Sequence, residues 1–441
     1  MFVGRSCCNT IDIRDASYIT LRNIVFDGDG VAVDAIKAGG NDSNWSHHIT
    51  VEGCTITNHS VGDTNQQIVG ISTKIVSWDW VVRGNVIDGA GTGIYFGNSD
   101  GSAAFIGGLI EGNLFADTLG YNMQVKQQSA REQVPGVPTE QRSTVIRHNV
   151  FIKSNNPNPS GARPNLLVSG FPASGAGSDD YYEIYGNFFY HNDGDSLLQV
   201  SGRVHIHDNV FADSLNPAIA LREHPTGWPL VDAYVYNNTI YDTATGISLQ
   251  DTPSGTEFVV GNAIFSDNPG VAGDNITDSV ANAGNYVNNP SLTLGAMDFY
   301  PVSGSALGGA SLDLTPVSSD IDYDRDFNGD EKDFSYHGAY SGEGDNPGWA
   351  LDASLKGIPE GGSGGGPSGP AGAGGGGAGG GGPAGAGGGT NGAGGSSASD
   401  DDGSSGSTSD EGCSCTVTGG PSTRGWLAIL LALGLLRRRN D

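Results

Sequence analysis

Four side chains, Lys126, Arg163, Arg222 and His224, are of the types needed to remove a proton beside a carboxylate. That chemistry requires a base whose pKa is brought down towards neutrality and cations that offset charge building on the acid. Interleaved with them are Tyr95, Asn122, Gln124, Asn165, Gln199 and Gln250, which suit the holding of hydroxylated rings. Amides donate to and accept from hydroxyls, a phenol ring stacks on a sugar face, and Lys or Arg pairs with a carboxylate. The alternative is a merely solvated outer face. The choice rests on whether the fold gathers these groups.

Other chemistries find less support. Hydrolysis of a sugar linkage needs two facing carboxylates, and Asp179, Asp180, Asp193, Asp195 and Asp208 lie in turns with no pairing pattern. His205 and His207 project the same way from one strand, yet a metal would need a third ligand that the sequence does not supply.

The elements that position these residues come from an internal repeat. A short apolar strand leads to Asn, then to a small or apolar residue, then to Phe or Ile. It reads Tyr18-Ile-Thr-Leu-Arg-Asn23-Ile-Val-Phe26 at first, and returns at Asn85, Asn113, Asn149, Asn187, Asn209, Asn238 and Asn262. Gly53 takes the place of the asparagine in the second copy. The interval of roughly 22 to 38 residues is that of a solenoid with loops of unequal length. After each copy comes a second strand, among them Gly93-Ile-Tyr-Phe96, Asn122-Met-Gln-Val125 and Leu197-Leu-Gln-Val200. The period is near two, with Gly, Asn or Asp at the breaks. An asparagine at a corner tolerates the left-handed conformation, and stacked amides bond to one another as a ladder. These asparagines are expected to hold the coil. With Ile94, Phe96, Met123, Val125, Leu166, Val168, Leu198 and Val200 turned inward, Tyr95, Asn122, Gln124, Lys126, Asn165, Gln199, Ser201, Arg222, His224 and Gln250 form an exposed row, which Arg163 enters just before its strand and Lys74 joins from an earlier coil.

Over residues 10–270 the repeat resembles the right-handed parallel β-helix superfamily that includes pectate lyases and other polysaccharide lyases. The resemblance implies an all-β solenoid and a polysaccharide ligand. Its sharper implication is β-elimination at a uronic acid, with Ca²⁺ or a cation on the carboxylate, Lys126 as the base, Arg163 and Arg222 neutralising charge, and His224 as the acid. A noncatalytic glycan-binding protein or adhesin is the other class.

The sequence divides into coils over 1–285, a terminal cap over 286–345, a Gly/Ser/Pro-rich acidic linker over 346–412 and a tail over 413–441. Within the cap, Asp324, Asp326, Asn328 and Gly329 match the first half of a calcium loop. Ser335 stands where that loop has its final Glu, and Glu331 where an apolar residue is usual. The cap is the preferred reading, with Ca²⁺ as the one cofactor it leaves room for. The linker lacks the apolar residues to fold alone. The tail joins Cys413 and Cys415 to the apolar run 426–436 and then to Arg437, Arg438 and Arg439. It is similar to the myxobacterial cysteine-containing sorting tail, which implies processing machinery, a hydrophobic anchor helix in the membrane and display at the cell surface. An ordinary transmembrane anchor is the rival, and both place the coils outside the cytoplasm. The start, Met1-Phe-Val-Gly-Arg-Ser-Cys-Cys, has no apolar export segment. A signal peptide and further coils are therefore expected upstream.

Net charge is −28 over 441 residues. Such a surface repels nucleic acid and anionic lipid. A monomer is expected. Cys54 is left to pair with Cys7 or Cys8, or to remain a buried thiol.

Overall fold

The computed structural model describes residues 1–40, 45–60, 67–131, 136–156 and 158–359. Over these the chain winds as a parallel β-helix with three strands to each coil. The first sheet holds the strands that precede the corner asparagine, such as Val76–Arg83, Phe105–Glu111, Ser143–Arg147 and Tyr181–Tyr185. The second holds those that follow it, Val86–Asp88, Leu114–Ala116, Val150–Ile152 and Phe188–Asn192 among them. The third holds Val69–Thr73, Thr92–Phe96, Met123–Val125, Leu166–Val168 and Leu198–Val200. Val210–Leu221 and Thr239–Leu249 run through without a break and fuse the second and third sheets into one of 18 strands, beside 11 in the first. Among the described strands only Val287–Asn289 and Asp298–Pro301 pair antiparallel.

Alternation in the sequence becomes alternation of faces. Ile71, Ile94, Met123, Leu166, Leu198, Ile219 and Ile247 stack inward in register and are fully buried. Next to the corner, Phe115, Phe151, Phe189 and Phe211 stack with ring centroids 4.9, 4.8 and 4.7 Å apart. That is the spacing of neighbouring strands, so each ring meets the ring of the next coil at full contact.

At the corner the amides of Asn85, Asn113, Asn149, Asn187, Asn209, Asn238, Asn262 and Asn275 form a continuous ladder. Asn149 shows the pattern. Its Nδ2 donates to Ile110 O at 2.9 Å and to Asn187 Oδ1 at 3.0 Å. Its Oδ1 accepts Asn113 N at 3.0 Å and Asn113 Nδ2 at 2.9 Å. Both polar atoms of the Asn149 side chain thus have partners.

Two details differ from the sequence reading. The left-handed residue is the one before the asparagine: Gly84, Gly112, His148, Gly186, Asp208, Asn237 and Gly261 all have φ between 50° and 73°. Asn23 (φ 55°) and Gly53 (φ 60°) belong to that file. Ile24 and Cys54 hold the ladder position, and Cys54 N donates to Asn85 Oδ1 at 2.8 Å. Asn and Gly both suit a left-handed residue, which made the register ambiguous by one.

Residues 286–359 lie alongside the coils. Tyr190 Oη donates to Leu292 O (2.7 Å), and Ala339 N donates to Thr239 Oγ1 (2.9 Å), over the second sheet. At the corner Lys332 Nζ meets Asp208 Oδ2 at 2.6 Å, and buried Lys356 donates to Gly186 O and Phe327 O at 2.6 and 2.7 Å. On the first sheet Asp320 accepts from Tyr236 Oη (3.0 Å) and pairs with His205 (2.8 Å). None of these bonds reaches the third sheet or the earliest coils of the first.

Cys7, Cys8 and Cys54 form no disulfide, and Cys54 is buried inside the coil. No helix among the described residues is long and apolar enough to cross a membrane. The linker from residue 360, Cys413, Cys415 and the expected anchor helix lie outside the described residues.

Candidate functional site

Pairing in the third sheet sets its outward file as Asp12, Lys37, Ser72, Tyr95, Gln124, Leu167, Gln199, Ala220 and Ser248. Backbone bonds to the preceding coil place Lys74, Lys126, Ser169, Ser201, Arg222 and Gln250 in a second file at the strand ends. Gly97 separates Lys74 from Lys126 in that file. Gly97 has φ 88°, and a Cβ there would stand 3.1 Å from Lys126 Cβ, so a larger residue would be strained and would crowd the Lys126 stem.

The two ammonium groups converge on one ring. Lys74 Nζ lies 2.8 Å and Lys126 Nζ 5.5 Å from the Tyr95 ring centroid. The quadrupole of that ring stabilises cations above its face. Burial pushes the Lys74 pKa well below the ordinary lysine range; Asp34 opposes the shift, while Lys126 and Lys37 add to it. Burial likewise raises Asp34, whose carboxylate accepts Val69 N at 2.9 Å and Ser72 Oγ at 3.0 Å.

The row is more enclosed than an open face. Tyr95 is 6%, Gln124 2%, Lys126 8% and Gln199 8% exposed. Gln124 Oε1 is buried without a hydrogen-bond partner, a cost that a site carries when it waits for a donor. One side is walled by loops: Gln128 Nε2 donates to Phe105 O at 2.8 Å, and Trp228 Nε1 donates to Gln128 O at 3.2 Å.

The remaining expected residues are dispersed. Arg222 follows Lys126 by three rungs, about 14 Å at ~4.8 Å per rung. His224 lies beside it on the loop that Trp228 closes, with His224 N donating to Trp228 O at 3.2 Å. Arg163 sits at the opposite end of its coil's third strand, its guanidinium 5.9 Å from the Tyr121 ring. Gln250 is exposed on the last rung, 3.5 Å from Ser248 Oγ.

Asn122 and Asn165 do not face outward. Both are fully buried at the corner between the second and third sheets, where Asn122 Nδ2 donates to Ile152 O (3.0 Å) and Asn165 Oδ1 accepts Asn192 Nδ2 (2.9 Å). They satisfy the turn. The strands begin one residue later than the alternation implied.

Nor do Asp324, Asp326 and Asn328 assemble around a common point. Asp326 Oδ1 accepts the backbone N–H of Asn328 and of Asp330, both at 2.9 Å, and Oδ2 that of Ser341 at 3.0 Å. Asn328 Nδ2 bonds Asn346 Oδ1 at 3.1 Å, and Asp324 lies 3.8 Å from Arg325. Among the described residues no group of three or more His, Cys, Asp or Glu could hold a metal. His205 pairs with Asp320, and His207 stacks 4.7 Å from Tyr185 and from Tyr236 under the C-terminal segment.

One basic residue escaped the sequence. Lys153 follows the strand Val150–Ile152 and donates to Arg163 O at 2.6 Å. Burial lowers its pKa to about 7, with Arg163 adding to the shift and Asp195 resisting it. Its only signal is burial, which a single lysine after a strand does not announce. Trp228 gave no periodic signal either, being in a loop.

No protein-family model matches this chain, and no curated protein matches it either.

Proposed function

We propose that this chain is a cell-surface β-helix protein that holds an acidic polysaccharide on the third sheet, with uronate β-elimination as the favoured chemistry. The observation that carries the reading is the convergence of Lys74 and Lys126 on Tyr95. A chain of net charge −28 has no general attraction for an acidic polymer, so local cations must supply it. The ring offers a sugar face, Gln124 Oε1 an acceptor for a hydroxyl, and the Lys126 ammonium a carboxylate partner. In the elimination, a neutral lysine takes the proton beside the carboxylate. The electrons of that C–H bond form the new C=C bond as the glycosidic C–O bond breaks, and the leaving oxygen takes up a proton. Lys74 has the lowered proton affinity this needs, and Lys126 remains to neutralise the acid.

Ca²⁺ would act by bridging uronates to the sheet. The tail at 413–441 supports surface display, and the corner repeat supports kinship with pectate lyase-like proteins. The dispersal of Arg163, Arg222 and His224 favours a second reading, noncatalytic glycan binding.

Incubation with pectate, alginate and a glycosaminoglycan, with and without Ca²⁺, separates these. The ultraviolet absorbance of unsaturated uronates is expected on at least one polymer. Retention on a polymer without that absorbance leaves the binding reading alone. Neither retention nor product on any of the three removes both.

A further inference from the structure

A second surface of the coils has the chemistry of a ligand site, on a different sheet. On the outer face of the first sheet, in its earliest coils, Tyr18, Trp45, His47, His48 and Trp78 form one aromatic group. His47 lies flat on Trp78 with centroids 4.3 Å apart and an interplanar angle of 8°. Trp45 meets Trp78 edge-on at 6.2 Å, and Tyr18 lies 4.6 Å from His48. Tyr18 is 74% exposed.

Two features separate this group from ordinary surface rings. The first is strain. Tyr18 (φ 58°), His48 (φ 54°) and Asp79 (φ 54°) are left-handed in the same file of the sheet, where Gly107 (φ 60°) follows. Bulky residues avoid that conformation, and glycine in the next coil shows that the bulge does not itself need a side chain. Rings kept on a strained backbone point to a use for the rings.

The second is charge. The ionisable groups around the rings pair with one another: His48 Nε2 lies 3.6 Å from Asp79 Oδ2, Asp79 Oδ1 3.1 Å from Arg142 Nη1, and Arg142 Nη2 2.6 Å from Glu140 Oε1. Burial, with His48 adding to it, holds His47 below the ordinary imidazole range, so the stacked ring stays neutral. Among the described residues the face therefore has no unmatched cation for a uronate. It has aromatic area in a charge-balanced surround, as suits the C–H face of an uncharged sugar.

We infer that this platform is a second glycan site that takes neutral sugar residues, through stacking on Tyr18 and His48, and acts apart from the lysine-bearing third sheet. Its occupant differs in charge from that of the third sheet, so the two fail separately.

Native electrophoresis of the protein through gels containing xylan, galactomannan or mixed-linkage glucan tests this. The expected result is retardation by at least one of them, weakened at least fivefold in Tyr18→Gly and unchanged in Lys74→Met/Lys126→Met. Urea unfolding of Tyr18→Gly is expected at an equal or higher midpoint, because glycine relieves the left-handed strain. A ring kept for packing alone would lower it. No retardation by any neutral polymer overturns the inference, as does equal retardation of Tyr18→Gly. Concentration-dependent self-association abolished by Tyr18→Gly also overturns it, giving the rings to a second copy.

Discussion

The ladder corner and the outward file of the third sheet are built on the same rungs by the same chain, yet their compositions are opposite. At the corner the same amide returns in every coil from Asn85 to Asn275. Along the outward file, Lys37, Ser72, Tyr95, Gln124, Leu167 and Gln199 follow one another with little recurrence. Each rung imposes the same demand on the corner, which is to satisfy backbone groups cut off from water. The outward file faces no shared demand, so its residues are free to fit a ligand whose parts differ along its length. Repetition marks what holds the coil, and variation marks where function has room.

The largest effect expected from breaking this contrast is at the corner. Asn149→Ala removes both donors and the acceptor of one rung, taking the side-chain partner from Asn113 N and Ile110 O and leaving Asn187 Oδ1 with the backbone N–H of residue 149 alone. A loss of about 3 kcal/mol is expected, read from the urea midpoint. A loss below ~1 kcal/mol would mean the ladder contributes little.

Lys153 gives an intermediate test at the far edge of the third sheet. Its folded pKa is about 7 against an ordinary value of 10.5. Below about 7 both folded and unfolded chains hold the proton, and the burial penalty is fully present. Between these values the unfolded chain binds more protons, so stability rises with pH. A gain of about 1–2 kcal/mol between pH ~7 and ~9 is expected for the native protein. Lys153→Met should flatten that segment of the pH profile. An unchanged profile would show that Lys153 reaches water.

The smallest stability effect belongs to the outward file. Gln124 Oε1 has no partner to lose, so Gln124→Ala should shift unfolding by less than about 1 kcal/mol. Retention on an acidic polymer should nevertheless fall. Equal losses for Asn149→Ala and Gln124→Ala in urea would erase the contrast between the two files.

The sequence disclosed the fold because stacked coils repeat their needs: Asn at the corner, Phe or Ile beside it, alternation along the strands. It misplaced Asn23 and Gly53 by one residue, since the left-handed position and the ladder position adjoin and accept similar residues. Asn122 and Asn165 read as outward because alternation was carried one residue past the strands, into a corner that buries them. Tyr95, Gln124, Lys126 and Lys74 were legible together because period two puts them on one side. Arg163 and Arg222 are dispersed because loops of unequal length hide how many rungs separate two residues. Lys153, Trp228 and the Tyr18–His48 platform depend on burial and on ring contacts across coils, which no linear spacing records.

The most direct test is calorimetric titration of an oligogalacturonate into the native protein and into Lys74→Met/Lys126→Met. The two lysines converging on Tyr95 predict at least a tenfold loss of affinity, with the unfolding midpoint held or raised as buried polar groups are removed. Equal affinity in the two proteins would contradict the third sheet as the acidic-glycan site.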